Sequence, residues 1–433
     1  MRLTHALSET PRVRVMLIVA DLSTAVLDRT AVTIAAIARV AEVHLVTRSE
    51  HRLAVSTLVK RLSSPVSVTY ISRKCSTTAR ISKKLPARVR NIARKIVAPF
   101  SYAQFEEKLW VCMGDRLKYG EFDVVHRLTP CSSAIVSPLA PRLAKLGVPF
   151  VVGPLAVSTL WADAMEGAPV MNHPLLAHLQ RFAQFMPGYR SMFATAGSIL
   201  ADSRAVMRRL PRTARRRSRL MPTPWVDSNE IVGRRMKPSN GPLRLLFAGN
   251  LTIENGIDLV LEAVAPLINA GKVTLDVVGN GQLAGWLHDT VIRDGLDGVR
   301  LHADEVSRQQ MTGWYDRSDL LVAVGPRVTN PSPVLNAMAS GLPAAVLGHG
   351  PLNEVVTSES GFVVSTGARA DVIVDLRDLL ARLATEREHI SSRSAKAQWR
   401  AHAIFGADAA VATLTDVYHA ISTQTIEKQR LAA

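Results

Sequence analysis

The feature that most constrains the fold is an alternation of short apolar segments with longer amphipathic ones. In the second half of the chain the strand candidates are 243–249, 273–279, 299–302 and 319–324. The helix candidates between them are 256–270, 282–294 and 307–316. Strands that are joined through helices lie parallel, and the helices cover the faces of the sheet. The second half is therefore predicted to form a doubly wound α/β domain.

The first half opens with the same pattern. Apolar segments at 13–20 and 43–47 flank a helix candidate at 30–40, which predicts a βαβ unit. Further strand candidates are 66–71, 122–126, 149–152 and 198–201. The stretch PSNGP at 238–242 has the composition of a linker between the two halves. We therefore predict two Rossmann-like domains, 1–238 and 239–390, and a helical tail, 391–433, with Trp399 and Phe405 as apolar anchors.

Composition places the chain among globular proteins. Of the 433 residues, 47% are hydrophobic and 21% charged, which favours packed cores over disorder. The cysteines, Cys75, Cys112 and Cys131, are odd in number and lack the spacing of metal ligands, so neither a disulfide framework nor a zinc site is expected. A reducing cytoplasm fits this cysteine usage. The apolar run 13–20 is shorter than a membrane span and is interpreted as a buried first strand.

The formal net charge of +17 indicates an anionic partner. Nucleic acid, anionic lipid and a phosphorylated substrate all satisfy that requirement. The basic run from Arg212 to Arg219 contains no interleaved aromatic residue on which bases could stack, so a solvated loop is favoured there. No nucleic-acid partner is expected.

A second basic segment has a different pattern. No acidic residue occurs between His51 and Phe105, and within that stretch the apolar residues of 81–97 fall on one narrow helical face. Basic residues cover the rest of the predicted helix, among them Lys83, Lys84, Arg90 and Arg94. Such a helix can lie on an anionic membrane surface. The alternative is a helix that docks on its own domain with a solvated basic face.

The stretch from Ser318 to Pro343 predicts a ligand site. A strand at 319–324 is followed by a Pro- and Asn-rich loop and then by a short helix at 334–340. Unpaired backbone N–H groups and the positive end of a helix dipole meet at such a junction. A surface loop ordered by its two prolines remains the alternative. No glycine-rich phosphate loop follows the first strand, since the first glycine of the chain is Gly114.

Several stretches resemble one family, the retaining, nucleotide-sugar-dependent glycosyltransferases of family 4. They are LLFAGNLTIENGIDLVLEAVAPL, LDVVGNGQL, MTGWYDRSDLLVAV, VLNAMASGLPAAVL and GPLNEVVTSESGFVV, with thinner support from FDVVHRLTP and GVPFVVGPL. The resemblance implies a GT-B fold of two face-to-face Rossmann-like domains, with a C-terminal helix that returns to the first. It also implies transfer of a sugar from a nucleotide-sugar donor to a lipid-linked or polysaccharide acceptor. The expected setting is the cytoplasm, with peripheral association at the inner face of the membrane. No metal or cofactor is expected.

By this resemblance the donor-binding residues are Gly249, Asn250, Asn255, Gly279, Arg327, Asn336 and Glu354. The family holds the donor diphosphate with an Arg and a Lys where this chain has Asn250 and Asn255. The family's pair of Glu residues falls on Val328 and Asn336. Arg327 is the nearest substitute for the missing charge, and Arg244 or Arg317 could serve only if the fold brings them close.

On the acceptor side, the resemblance points to His126 as a catalytic candidate, or to Leu128 if the match shifts by two residues. It also points to Gly153 and Pro154. A histidine at a strand end is more often a structural polar terminus than a catalytic group. The replaced donor residues support a second hypothesis, a catalytically degenerate relative that acts as a binding or scaffold partner.

Overall fold

The computed structural model describes residues 12–22, 24–72, 87–156, 165–166, 188–223, 241–302, 308–327 and 331–432. They form two compact units. The first contains the described residues within Met1–Ser158, Asn172–Pro224 and Ala407–Ala433. The second contains those within Thr159–Met171 and Trp225–Gly406.

The strands, in chain order, are β1 (Val13–Val19), β2 (Ala41–Arg48), β3 (Val66–Ile71), β4 (Val124–Thr129), β5 (Phe150–Leu155), β6 (Met165–Glu166), β7 (Ser198–Ala201), β8 (Ser218–Leu220), β9 (Leu243–Ala248), β10 (Val273–Val278), β11 (Val299–His302), β12 (Leu320–Ala323), β13 (Ala344–Leu347), β14 (Phe362–Val364) and β15 (Gly367–Ala368). The helices are α1 (Thr24–Val40), α2 (Arg52–Val59), α3 (Ala87–Lys118), α4 (Leu139–Lys145), α5 (Tyr189–Thr195), α6 (Arg204–Arg209), α7 (Arg212–Arg215), α8 (Ile257–Asn269), α9 (Ala284–Arg293), α10 (Arg308–Arg317), α11 (Ser332–Ala339), α12 (Leu352–Val355), α13 (Arg369–Thr385), α14 (Glu388–Phe405) and α15 (Ala407–Ala432).

The first unit is built on a seven-stranded parallel sheet with the order β3-β2-β1-β4-β5-β7-β8. The strand order reverses between β1 and β4, so the loops after these two strands diverge to opposite faces. Helices α1, α2 and α15 cover one face, where Ile37 and Leu414 are buried. Helices α3, α4 and α5 cover the other, where Leu109 and Phe193 are buried.

The second unit is built on a six-stranded parallel sheet with the order β11-β10-β9-β12-β13-β14. Its strand order reverses between β9 and β12. Helices α8 and α13 cover one face through Val260 and Leu376, and α11 and α14 cover the other through Leu335 and Ala401. The short strands β6 and β15 form a separate parallel pair.

The predicted fold class is confirmed: both large sheets are parallel and doubly wound, and α15 belongs to the first unit. The structure differs in how the tail is divided. Residue 391 lies inside α14, which packs with the second unit, and only α15 returns to the first. Phe405 is buried as expected, but Trp399 is 68% exposed and is no anchor.

The basic run from Arg212 to Arg219 is also more ordered than predicted. It forms α7 and the edge strand β8 rather than a loop. Buried Ala214 and Ser218 anchor these two elements, while the arginines point outward.

The predicted membrane-facing helix is only partly described. Helix α3 begins at Ala87 in the described residues and continues past Pro99 to Lys118, with Phe105 and Leu109 docked on the sheet. Lys83 and Lys84 lie outside the described residues, and so do the side chains of Arg90 and Arg94. Membrane contact through this segment therefore stays a prediction. Among the helices that the structure describes, none is both long and apolar enough to cross a bilayer.

Candidate functional site

The loops after β9, β10, β12 and β13 leave the second sheet at one edge, because carboxyl ends of parallel strands share an edge. Their described residues are 249–256, 279–283, 324–327 and 348–351. We call them the donor edge. The loop after β9 is central, since β9 borders the point at which the strand order reverses. Open α/β sheets bind ligands at such points.

Glycines let the loop after β10 approach the loop after β9. A Cβ atom on Gly279 would lie 2.0 Å from the carbonyl oxygen of Gly249, and one on Gly281 would lie 2.4 Å from that of Leu251. The backbone N–H of Leu251 donates to the carbonyl of Asn280 at 3.0 Å. A side chain at either glycine would push the two loops apart. The predicted Gly249 and Gly279 therefore lie together at the donor edge.

A second glycine pair joins the β9 loop to the β12 loop. Gly256 has φ +74°, and a Cβ atom there would lie 2.8 Å from Cα of Gly325. The N–H of Arg327 donates to the carbonyl of Glu254 at 3.0 Å. Gly256 is also the N-cap residue of α8, which begins at Ile257 and whose first N–H groups face this edge. These packing glycines were not among the predicted site residues, although the isolated glycines at 256 and 325 are visible in the sequence.

Asn250 and Asn255 occupy the positions predicted to hold diphosphate, and one of them also closes the loop. The amide nitrogen of Asn255 donates to the backbone carbonyl of Asn250 at 2.9 Å and closes the loop. Asn250 itself is exposed. One of the two N–H groups of the Asn255 amide is therefore engaged within the protein.

The charge of the donor edge is small. Among the described residues of its four loops, Arg327 is the single Arg or Lys and Glu254 the single carboxylate. Arg327 is half-buried and makes no ion pair with any described residue. Arg244 and Arg317 do not contribute, since both lie toward the amino ends of the strands. Arg244 binds Asp319 at 2.6 Å, an interaction that raises the pKa of its guanidinium, and Arg317 stacks on Trp314.

The remaining donor residues lie on the adjoining helices. Asn336 is half-buried on α11, and Glu354 lies on α12, where its backbone carbonyl accepts a hydrogen bond from Arg400. Val328 lies outside the described residues. His349, on the loop after β13, was not predicted. Its signal in the sequence is a histidine between two glycines directly after a buried strand.

The structure does not support His126 as a catalytic residue. His126 is the third residue of β4 rather than its last, and it is fully buried. Its Nε2 donates to the carbonyl of Gly153 at 2.8 Å, and its Nδ1 accepts from the hydroxyl of Tyr418 at 2.7 Å. Burial lowers the pKa of His126 to about 4, so the ring is neutral. Leu128, the alternative position, is 2% exposed and packs in the core.

Gly153 and Pro154 lie inside the sheet rather than on an acceptor-facing surface. Gly153 has φ +125°, and a Cβ atom there would lie 2.2 Å from the carbonyl oxygen of Leu200 on β7. The structure therefore requires glycine at this position for strand packing. Both residues are buried within β5, which corrects their predicted role.

A buried polar network that the sequence did not reveal orders the loop after β4. Arg127, on β4, is fully buried and donates from Nη1 to the carbonyl of Ile135 at 2.7 Å. Glu106, on α3, accepts from the Ser137 hydroxyl at 2.8 Å and from the Leu139 N–H at 2.9 Å. Burial raises the pKa of the Glu106 carboxyl, and these hydrogen bonds oppose that rise. The two residues hold this loop at the carboxyl edge of the first sheet.

Comparison with solved structures defines the class of fold. A glycosyltransferase from Rickettsia africae superposes with a TM-score of 0.63 at 12% identity, over 95% of this chain and 99% of that one. Anabaena HepE in complex with UDP and glucose superposes with a TM-score of 0.55 at 14% identity, over 98% and 100%. At these identities the likeness shows the fold alone. The fold is that of the two-domain GT-B glycosyltransferases.

Sequence comparison then adds the family. Residues 242–382 match the family described as glycosyl transferases group 1, so the resemblance predicted from the sequence is confirmed across most of the second unit. A GDP-mannose-dependent alpha-(1-6)-phosphatidylinositol dimannoside mannosyltransferase from Mycobacterium tuberculosis is 27% identical over 153 residues. That alignment spans 35% of this chain and 39% of the relative, so the chain matches about two fifths of the relative's length.

Proposed function

We propose that the chain is a glycosyltransferase that moves a sugar from a nucleotide-sugar donor to a lipid-linked or polysaccharide acceptor in cell-surface glycan biosynthesis. The observation that carries the proposal is the donor edge. Its glycine-packed loops lie within the residues that match the group 1 family. Among the structural neighbours, HepE was solved with UDP and glucose, and the curated relative is described as GDP-mannose-dependent. Both descriptions support a nucleotide-sugar donor.

In the proposed reaction, an acceptor hydroxyl oxygen forms a bond to the anomeric carbon while the bond from that carbon to the diphosphate breaks. The nucleoside diphosphate leaves with the bonding electron pair, and the acceptor proton passes to it. Retention of anomeric configuration follows from the resemblance. The proposal includes no metal or cofactor.

The donor edge can assist by stabilising the leaving group. A hydrogen bond to a charged group contributes about 1.5–3 kcal/mol, against about 1 kcal/mol for a neutral one. The N–H groups at the start of α8 and α11 supply the neutral donors, and the helix dipoles add positive potential. Arg327 supplies the single full positive charge of the loops. The donor is therefore proposed to bind with its diphosphate beside Arg327.

A nucleotide-binding measurement tests this function. Thermal unfolding is followed with UDP, GDP, ADP, CDP and dTDP, each with the matching nucleoside as a control. A ligand present at ~100 times its dissociation constant stabilises the folded state by about 2.7 kcal/mol, which raises the melting temperature. Sugar transfer is then measured with radiolabelled donors of the nucleotide that binds and a membrane lipid extract.

The second candidate function is a catalytically degenerate transferase that serves as a scaffold partner. It is favoured by the asparagines at 250 and 255 and by the engaged amide of Asn255. The same nucleotide panel separates the two functions. A chain whose melting temperature responds to none of the nucleotides fits the scaffold and contradicts the transferase.

The proposed setting is cytoplasmic and peripheral to an anionic membrane. The predicted helix 81–97 would lie on the bilayer through Lys83, Lys84, Arg90 and Arg94. Their joint replacement by Gln is expected to reduce sedimentation with anionic vesicles at low salt, by about 1 kcal/mol per cation. Changing Ile92 to Asp should weaken binding through the apolar stripe. If both variants sediment with the vesicles as wild type does, the segment 81–97 does not mediate membrane binding.

A further inference from the structure

The connection between β7 and β8 carries a dense set of arginines. Eight occur between residues 204 and 219, and all are exposed: Arg204, Arg208, Arg209, Arg212, Arg215, Arg216, Arg217 and Arg219. No acidic residue occurs from 203 to 226 to neutralise them. The segment forms α6, α7 and β8, and β8 is the edge strand of the first sheet. We call this surface the arginine edge.

Two of these arginines brace the surface. Arg217 donates from Nη1 to the carbonyls of Ala194 and Ala196, at 2.7 and 2.9 Å, and so caps the carboxyl end of α5. Arg215 donates to the carbonyl of Leu210 at 3.0 Å and also to that of Arg208. The second brace ties the end of α7 to the end of α6. The arginine edge is therefore a folded surface with fixed backbone positions.

Four others have guanidinium groups that make no hydrogen bond or ion pair with any described residue. They are Arg208, Arg212, Arg216 and Arg219. A guanidinium carries five N–H donors in a planar fork that matches phosphate oxygens. A guanidinium without a carboxylate partner can pair with a phosphate without first giving up an ion pair.

We propose that the arginine edge binds the anionic headgroups of a phospholipid bilayer. Nucleic acid is the less favoured polyanion, since residues 203–223 contain no aromatic side chain for base stacking. The inference rests on described side chains, and it depends neither on the predicted helix 81–97 nor on transferase activity.

The test is flotation of the full-length chain with vesicles of phosphatidylcholine that do or do not contain phosphatidylglycerol. The test variant replaces Arg208, Arg212, Arg216 and Arg219 with Gln. Each headgroup-facing cation contributes about fivefold to binding, so the variant should lose about 100-fold or more in apparent vesicle affinity at low salt. Wild-type binding should also weaken as salt shortens the Debye length from ~30 Å toward ~8 Å.

A matched variant removes the same net charge elsewhere: Lys145→Gln, Lys272→Gln, Arg382→Gln and Lys396→Gln, all at exposed positions. It should retain vesicle binding. Equal loss in both variants would show an effect of net charge alone and would overturn the proposal, as would a wild-type chain that does not float. A labelled single-stranded oligonucleotide forms the last arm. The oligonucleotide could bind more tightly than the vesicles do, through the same four arginines. That result would assign the surface to nucleic acid instead. Melting curves confirm that both variants are folded.

Discussion

Tyr418 donates a hydrogen bond of 2.7 Å from its hydroxyl to Nδ1 of His126, although the two residues lie 292 positions apart. His126 in turn donates a hydrogen bond from Nε2 to the carbonyl of Gly153. Tyr418 lies on α15, His126 on β4 and Gly153 on β5. Buried hydrogen bonds therefore connect α15 to the two central strands β4 and β5 of the first sheet.

Removal of the Tyr418 hydroxyl should destabilise the first unit. In Tyr418→Phe the ring still fills the core, but Nδ1 of His126 loses its donor while it stays buried. An unsatisfied buried acceptor costs about 1–3 kcal/mol. Thermal unfolding should show a lower melting temperature, whereas Tyr119→Phe, at a residue 84% exposed, should leave it within error. A Tyr418→Phe protein as stable as wild type would contradict the assigned hydrogen bond.

His126 should make the first unit less stable in acid. Above pH 6.5, the ordinary pKa of histidine, the ring is neutral in both the folded and the unfolded states. As the pH falls from 6.5 toward the folded-state pKa of about 4, only the unfolded state takes up a proton. The free energy of unfolding should then decrease by up to about 1.4 kcal/mol per pH unit, and this loss should level off below pH 4.

Urea unfolding at a series of pH values measures this dependence. His126→Gln should remove the part of the acid slope that lies between pH 6.5 and 4. His288→Gln, at an exposed histidine on α9, should keep the wild-type slope. If the slope of His126→Gln equals that of wild type, another group is responsible for the acid sensitivity.

The sheets could be predicted from the sequence because their signal is local. Each buried parallel strand is a short apolar run, and the helices between them have their own period. The His126 contacts could not be predicted, since they join residues far apart in the chain. The burial of Gly153 could not be predicted for the same reason, because its neighbour across the sheet is the distant residue Leu200.

Trp399 was misplaced for a different reason. The buried residues of α14 include Ala397, Ala401 and Phe405, spaced four apart, and position 399 falls outside that stripe. The large apolar side chain of Trp399 suggested a buried anchor, whereas its position relative to the buried stripe of α14 indicates that it is exposed. At the donor edge, Gly249 and Gly279 were predicted from the family resemblance, and in the structure each directly follows a strand. The engagement of Asn255 could not be found, since it depends on how the loop closes.

The contact between Gly256 and Gly325 should be necessary for nucleotide binding. In Gly325→Ala the new Cβ atom would meet the Glu254 carbonyl oxygen and the Asn255 carbonyl carbon at 2.5 Å, so one loop must move. Overpacking of this kind costs about 1–3 kcal/mol and displaces the donor edge. The proposed nucleoside diphosphate should therefore bind more weakly in titration calorimetry.

Gly256→Ala adds backbone strain to the same contact, because its φ is +74°. Gly271→Ala separates the two effects, since Gly271 has φ +65° but no neighbour within 4 Å of a Cβ atom. Gly271→Ala should lower stability by about 1 kcal/mol and leave nucleotide affinity unchanged. Equal affinity losses at positions 256 and 271 would show that packing at the donor edge is unimportant.

Arg327 should supply the charge that holds the diphosphate. Arg327→Gln should lower the affinity for a nucleoside diphosphate by about 1.5–3 kcal/mol, the value of a hydrogen bond to a charged group. Affinity for the matching nucleoside should not change. Arg327→Lys should recover only part of the loss, because an ammonium lacks the two-pronged geometry of a guanidinium. Calorimetric titration with both ligands measures the difference.

Restoring a cation on the neighbouring loop provides the decisive control. The Arg327 N–H is bonded to the carbonyl of Glu254, so position 255 lies directly beside Arg327. Asn255→Lys in the Arg327→Gln background should therefore recover diphosphate affinity and make it salt-dependent again. If wild type binds no nucleotide at all, the proposed function itself fails. If wild type binds but Arg327→Gln binds equally well, only the proposed role of Arg327 is wrong. The N–H groups at the start of α8 and α11 must then hold the diphosphate without a side-chain cation from these loops.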